Sequence, residues 1–133
     1  MRDMTQEQKE LLLKDLCVRL PYGVKLHAKY INVDLKELDG TLKQIDNDKI
    51  CGLVSDTEDT YSYIYVSIDE IKPYLFPLSS MTEEQREEWY QYCFENENKN
   101  IGTNVDWLNK NHFDYRGLID KDLALDATNL NIY

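Results

Sequence analysis

The sequence predicts an α+β domain with an N-terminal helix, a small antiparallel sheet or SH3-like half-barrel, and a helical C-terminal part packed on it. Leu12, Leu13, Leu16, Cys17 and Leu20 recur at helical spacing. Directly after them Val24, Leu26, Ala28 and Tyr30 alternate with Lys25, His27 and Lys29 at the strand period. The connections that follow are acidic turns too short for a parallel crossover, which favours an antiparallel meander. At 133 residues the chain suits one domain, 1–133, with helix and sheet in 1–78 and a mainly helical part in 79–133.

The first helix begins at a T-x-x-Q capping box, Thr5 to Gln8, in which the hydroxyl accepts from a first-turn amide and Gln8 reaches back. Lys9, Glu10, Lys14, Asp15 and Arg19 take its other faces, and Pro21 stops it before a turn at Tyr22-Gly23. Beyond the first strand come Thr41 to Ile45 after the turn dipeptide Asp39-Gly40, then Ile50 to Val54, then Tyr61 to Ile68. In the last of these, Ile64, Val66 and Ile68 share one face and Tyr61, Tyr63 and Tyr65 the other. Pro73 and Pro77 bracket Tyr74-Leu75-Phe76 and predict an edge or irregular segment leaving the sheet.

A second capping box, Thr82 to Gln85, opens a helix over about 83–94 whose buried stripe is Trp89, Tyr92 and Cys93. The polar stretch 95–100 reads as an exposed loop, and Asn104 as the cap of a short helix carrying Val105, Trp107 and Leu108. Phe113 to Gly117 reads as a corner; Leu118-Ile119 and Leu123 to Ala127 supply a last short element, and the tail to Tyr133 is apolar enough to dock.

Composition excludes several functions. With 42% hydrophobic and 30% charged residues, 5 Gly and 3 Pro, the chain is neither collagen-like, proline-rich nor disordered. Fifteen basic against 25 acidic residues leave a net charge of −10, which opposes binding to nucleic-acid backbones and predicts no direct nucleic-acid partner. Cys17, Cys51 and Cys93 are far apart, with no C-x-x-C pair and no apolar leader ahead of them, so the chain reads as a reduced cytoplasmic protein. No run approaches the roughly 18 apolar residues of a membrane span.

No catalytic signature is present. There is no G-x-S-x-G, no glycine-rich phosphate loop and no H-E-x-x-H, and Cys17 and Cys93 fall late on apolar helix stripes, where they read as core. His112, Asp114 and Arg116 form the one histidine-centred constellation besides His27, but no second His or Cys stands near enough for zinc. Neither a metal nor a cofactor is expected. The better account of this trio is a corner in which His112 and Asp114 satisfy backbone groups while Arg116 pairs with an acid. Tyr61, Tyr63 and Tyr65 could form an interface; cover by the C-terminal helices is the favoured reading. These tyrosines with His112, Asp114 and Arg116 are the candidate interaction residues.

Three stretches carry a resemblance: Leu11-Leu12-Leu13-Lys14-Asp15-Leu16-Cys17-Val18-Arg19-Leu20-Pro21-Tyr22-Gly23-Val24, the run from Ile71-Lys72-Pro73-Tyr74 to Met81-Thr82-Glu83-Glu84, and Asn111 to Ile119 with the terminal Asn131-Ile132-Tyr133. They resemble a group of small uncharacterised proteins encoded by gut Bacteroides and their phages and mobile elements. The resemblance covers about half the chain, and the stretch from about Asn32 to Tyr61 has no part in it. It implies a phage or mobile-element origin and a cytoplasmic role in a bacterial host; no activity, ligand or catalytic residue comes with it.

The function expected from these features is a non-catalytic binding protein acting on a host or viral protein, with counter-defence, by blocking a protein or mimicking DNA charge, as a sub-case. The alternatives are a module sequestering a nucleotide signal and, behind it, a minor enzyme. A nucleotide site would require Arg19, Lys72 and Arg116 to converge under aromatic cover.

Overall fold

In the computed structural model the described residues are 4–31, 35–55, 64–95 and 103–133. Helix α1 (Gln6–Arg19) starts at the expected capping box, with the Gln8 amide donating to Thr5 Oγ1 at 3.1 Å and the Thr5 amide donating to Gln8 Oε1 at 3.0 Å. It ends in a 3-10 turn over Leu20–Tyr22, and Gly23 takes the left-handed conformation (φ 68°) that reverses the chain into the sheet.

Strands β1 (Lys25–Ile31), β2 (Leu35–Ile45), β3 (Ile50–Ser55) and β4 (Ile64–Ser67) form the antiparallel meander. β2 is longer than the pattern predicts, because Asp39-Gly40 is not a turn and the strand runs through it. Gly40 stands opposite Leu26 on one side and Ser55 on the other. A Cβ there would press on the Leu53 side chain and lie 2.8 Å from the Val54 carbonyl oxygen, so glycine serves close strand approach rather than reversal. The turn 46–48 is where expected, the Asp46 carboxylate accepting from the Asp48 and Ile50 amides at 2.8 and 3.0 Å.

The Pro73–Pro77 segment corrects the reading more strongly. It is β5 (Ile71–Pro77), and it lies inside the sheet, antiparallel to β1. Pro73 is tolerated opposite Leu26, and beyond it β5 turns to new partners. β6 (Phe113–Asp114) and β7 (Leu125–Asp126) both run parallel to it, so the sheet is mixed, in the order β4-β3-β2-β1-β5-β6 with β7 also on β5. Residues after 79 hold the helices α2 (Glu83–Glu95) and α3 (Thr103–Lys110), but also both parallel strands and a long irregular tail. α2 and α3 supply the crossover that an antiparallel meander does not need. α3 starts at Thr103, two residues earlier than an Asn104 cap would place it.

The tail docks through Tyr133. The β1–β5 register would set Lys25 against Tyr74. There the Tyr133 hydroxyl intervenes, accepting from the Lys25 amide at 2.9 Å and donating to the Tyr74 carbonyl at 2.7 Å. Its ring stacks on His112 with centroids 3.6 Å apart.

One hydrophobic core lies between α1 and the sheet, from Leu12 and Leu16 to Leu26, Leu42, Leu53, Val66, Ile71, Leu75, Leu118 and Leu123. A smaller cluster beneath α2 and α3 gathers Met81, Trp107, Leu108 and Phe113, with Trp89 and Tyr92 half-buried against it. No residue of α2 is fully buried. Cys17 is exposed and Cys93 half-buried, so neither is a core residue; Leu12 and Leu16 alone take the deepest positions of the α1 stripe. Among the described residues no helix is long and apolar enough to cross a membrane.

Candidate binding groove

The corner after β6 is a charged cross-link. Asp114 Oδ1 accepts from the Arg116 and Leu118 amides at 3.2 and 3.0 Å and Oδ2 from the Ile119 amide at 2.9 Å, closing the turn around Gly117 (φ 73°). Arg116 Nε donates to Asp15 Oδ1 at 3.2 Å, and Arg19 Nε donates to Asp15 Oδ2 at 2.8 Å. Arg19 also donates to the Phe113 carbonyl at 2.6 Å. Both guanidinium carbons lie over the Tyr115 ring, 5.3 Å away for Arg19 and 4.9 Å for Arg116. Tyr115 in turn donates to buried Asn109 at 2.8 Å.

The side chains of Asp15 and Arg19 are both 0% exposed, so these two are not on a solvated face of α1. An i,i+4 acid–base pair ordinarily belongs to the surface. Here it faces β6 because the Phe113 carbonyl and Arg116 supply the partners that burial demands. Lys72 is elsewhere, paired with Asp122 at 2.6 Å. Arg19 and Arg116 therefore converge without Lys72, and on an internal acid.

His112 sits at φ 65°, half-buried against Tyr133, and burial, with Arg19 and Lys25 nearby, pushes its imidazole down to about 4. It is neutral at neutral pH. Burial, and secondarily Asp46, pushes the Cys51 thiol up to about 12, which leaves no thiolate for nucleophilic chemistry. On the outer sheet face His27 Nδ1 lies 2.8 Å from Asp39 Oδ1, to which Tyr74 also donates at 2.7 Å. This cluster ties β1, β2 and β5 together. Among the described residues no group of three His, Cys, Asp or Glu side chains is arranged to hold a metal ion.

Tyr65 is 54% exposed, so cover by the C-terminal helices does not extend to it; Tyr61 and Tyr63 lie outside the described residues.

A groove of about 610 Å³ lies where the 3-10 turn after α1 meets α2 and α3. Tyr22, Tyr92 and Trp107 supply rings; Glu88, Glu95 and Asp106 supply carboxylates; Gln91, Lys110 and Asn111 complete the lining. Capping explains the arrangement. The Thr82 box, with the Gln85 amide donating to Thr82 Oγ1 at 3.1 Å, fixes the start of α2. Glu88, Gln91, Tyr92 and Glu95 then fall on one side of it by helical spacing. Trp107 is held from below by stacking on Phe113 at 5.8 Å. Burial, with Asp106 and Tyr22 close by, raises the Tyr92 phenol above its usual value.

Sequence reasoning misses this groove, since it assigns Tyr22 to a turn and Glu95 to an exposed loop and gives Glu88 no role. The i,i+3,i+4,i+7 set of Glu88, Gln91, Tyr92 and Glu95 was the available signal. No protein-family model, curated protein or solved structure matches the chain.

Proposed function

We propose that this is a non-catalytic binding protein of phage or mobile-element origin that acts in the host cytoplasm on a host or viral protein. The observation that carries the reading is the groove between α2 and α3, whose lining combines aromatic rings with carboxylates. Rings give contact area at low entropy cost, and carboxylates give polarity that selects a partner by charge. With a net charge of −10 the chain attracts basic surfaces over distance, so the partner presents a basic segment to this groove. On the same reading the β1–β4 meander is an SH3-like half-barrel that serves as a rigid base, and the helical part carries the contact surface.

The nucleotide-sequestering alternative needs cations able to meet phosphate. Arg19 and Arg116 are held by Asp15, Lys72 by Asp122, and the groove itself is acidic. These facts favour a protein partner. Counter-defence remains the biological setting proposed for it, with blocking of a basic host protein as its mechanism.

The test uses the full chain as bait in extract of a bacterial host, beside the double variant Glu88→Gln with Asp106→Asn. A basic protein retained by the native chain and lost from the variant is the expected result. Retention of the same protein by both would move the interface off the groove, and a partner without a basic segment would remove the charge-based reading.

A further inference from the structure

We infer that the α2–α3 groove is a receptor for the guanidinium of an arginine side chain presented by the partner, an inference that rests on the protein-binding reading above and names its anchor. The interior of this protein supplies the template. Around Tyr115 two guanidiniums lie 4.9 and 5.3 Å from one ring while sharing the carboxylate of Asp15 at 3.2 and 2.8 Å. Ring face plus carboxylate is the combination that satisfies a planar cation, since the face takes the π-surface and the acid takes the N–H donors.

The groove has the same ingredients with no arginine in its lining. Tyr22, Tyr92 and Trp107 border it, and Glu88, Glu95 and Asp106 stand among them. Three carboxylates outnumber the one cation, Lys110, by two. At about 610 Å³ the space lies within the usual 300–1,000 Å³ range of ligand sites and exceeds what one side chain fills, leaving room for flanking backbone.

Arginine is preferred to lysine for a geometric reason. Its fork reaches two carboxylates at once while its plane lies against a ring; an ammonium does one or the other. Lys110, by occupying the rim with like charge, lowers the groove's affinity for any incoming cation.

The probe is a capped pentapeptide with arginine at its centre, titrated into the isotope-labelled full chain and followed by amide and indole resonances. Its twin carries citrulline, which keeps the shape and removes the charge. We expect the arginine peptide to shift the Trp107 indole and amides within 88–95 and 106–111, with the citrulline twin about tenfold weaker. Asp106→Asn or Glu88→Gln should weaken the arginine peptide about fivefold, and Lys110→Ala should strengthen it about threefold. Equal binding of the twin, shifts confined to other surfaces, or indifference to all three substitutions overturns the inference. Failure of the two readings is separable. Arginine-selective shifts with no protein captured leave the receptor standing and remove the protein partner. A captured protein that ignores Asp106→Asn does the reverse.

Discussion

Asp15 holds two guanidiniums from a position without solvent contact, which makes it sensitive to substitution. Removing its charge strands Arg19, whose side chain is also 0% exposed. Asp15→Asn should therefore cost about 3–5 kcal/mol in chemical denaturation, the usual penalty for breaking a buried pair on one side. A loss under about 1 kcal/mol would mean that water or rearrangement rescues the site. His112 offers a pH-dependent test. Its unfolded imidazole takes up a proton near 6.5 and its folded one only near 4, so between these values the unfolded chain binds more protons. Its contribution is complete above about pH 6.5, declines as pH falls toward about 4, and levels off below. At about 1.4 kcal/mol per pH unit the decline is at most about 3 kcal/mol. His112→Phe retains the stack on Tyr133 and does not titrate, so its stability should fall less over that interval; parallel curves for the two proteins would contradict this. Neither residue's environment was legible along the chain, because Asp15 meets Arg116 across 101 residues and His112 takes its stacking partner, Tyr133, from the C-terminal tail.

Among the elements, the helix starts were the most legible, since Thr5 and Thr82 with their glutamines are satisfied locally and both boxes form. The strands were less so. Asp39-Gly40 has the composition of a turn, yet packing against Leu53 and Val54 holds it extended in β2. β5 carries two prolines and still joins the sheet, because the carbonyl of Leu75 and the amide of Phe76 find partners in Ala127 and His112, far along the chain. One end of the β1–β5 junction is bridged by a hydroxyl. Tyr133→Phe removes the bridge between Lys25 and Tyr74 while leaving the ring in place, and should cost about 1–2 kcal/mol, read as a lower denaturation midpoint at unchanged slope. An unchanged midpoint would show that water replaces the hydroxyl fully.

For the molecule as a whole, charge is the property with the longest reach. At −10 the chain should show no retardation of duplex DNA at physiological salt, and the absence should persist when salt is lowered within the folded range. Retardation that strengthens on lowering salt would reveal a cationic face that the net charge conceals. Part of the same charge lies at the groove, where Glu88, Glu95 and Asp106 belong to helices that share one hydrophobic cluster, Trp89 and Tyr92 of α2 packing with Trp107 and Leu108 of α3.

The amino-acid sequence by itself determined the α+β class, the first helix with its Leu12 and Leu16 stripe, the antiparallel β1–β4 succession and the second capped helix. Each depends on periodicity and caps within a few residues of the element concerned. Tertiary structure alone decided the place of β5 inside a mixed sheet, the burial of Asp15 and Arg19, the Tyr133 hydroxyl bridge between β1 and β5, and the groove. These depend on contacts between distant segments: a proline strand, a buried charge and an acidic aromatic lining each acquire their meaning from partners that periodicity does not encode.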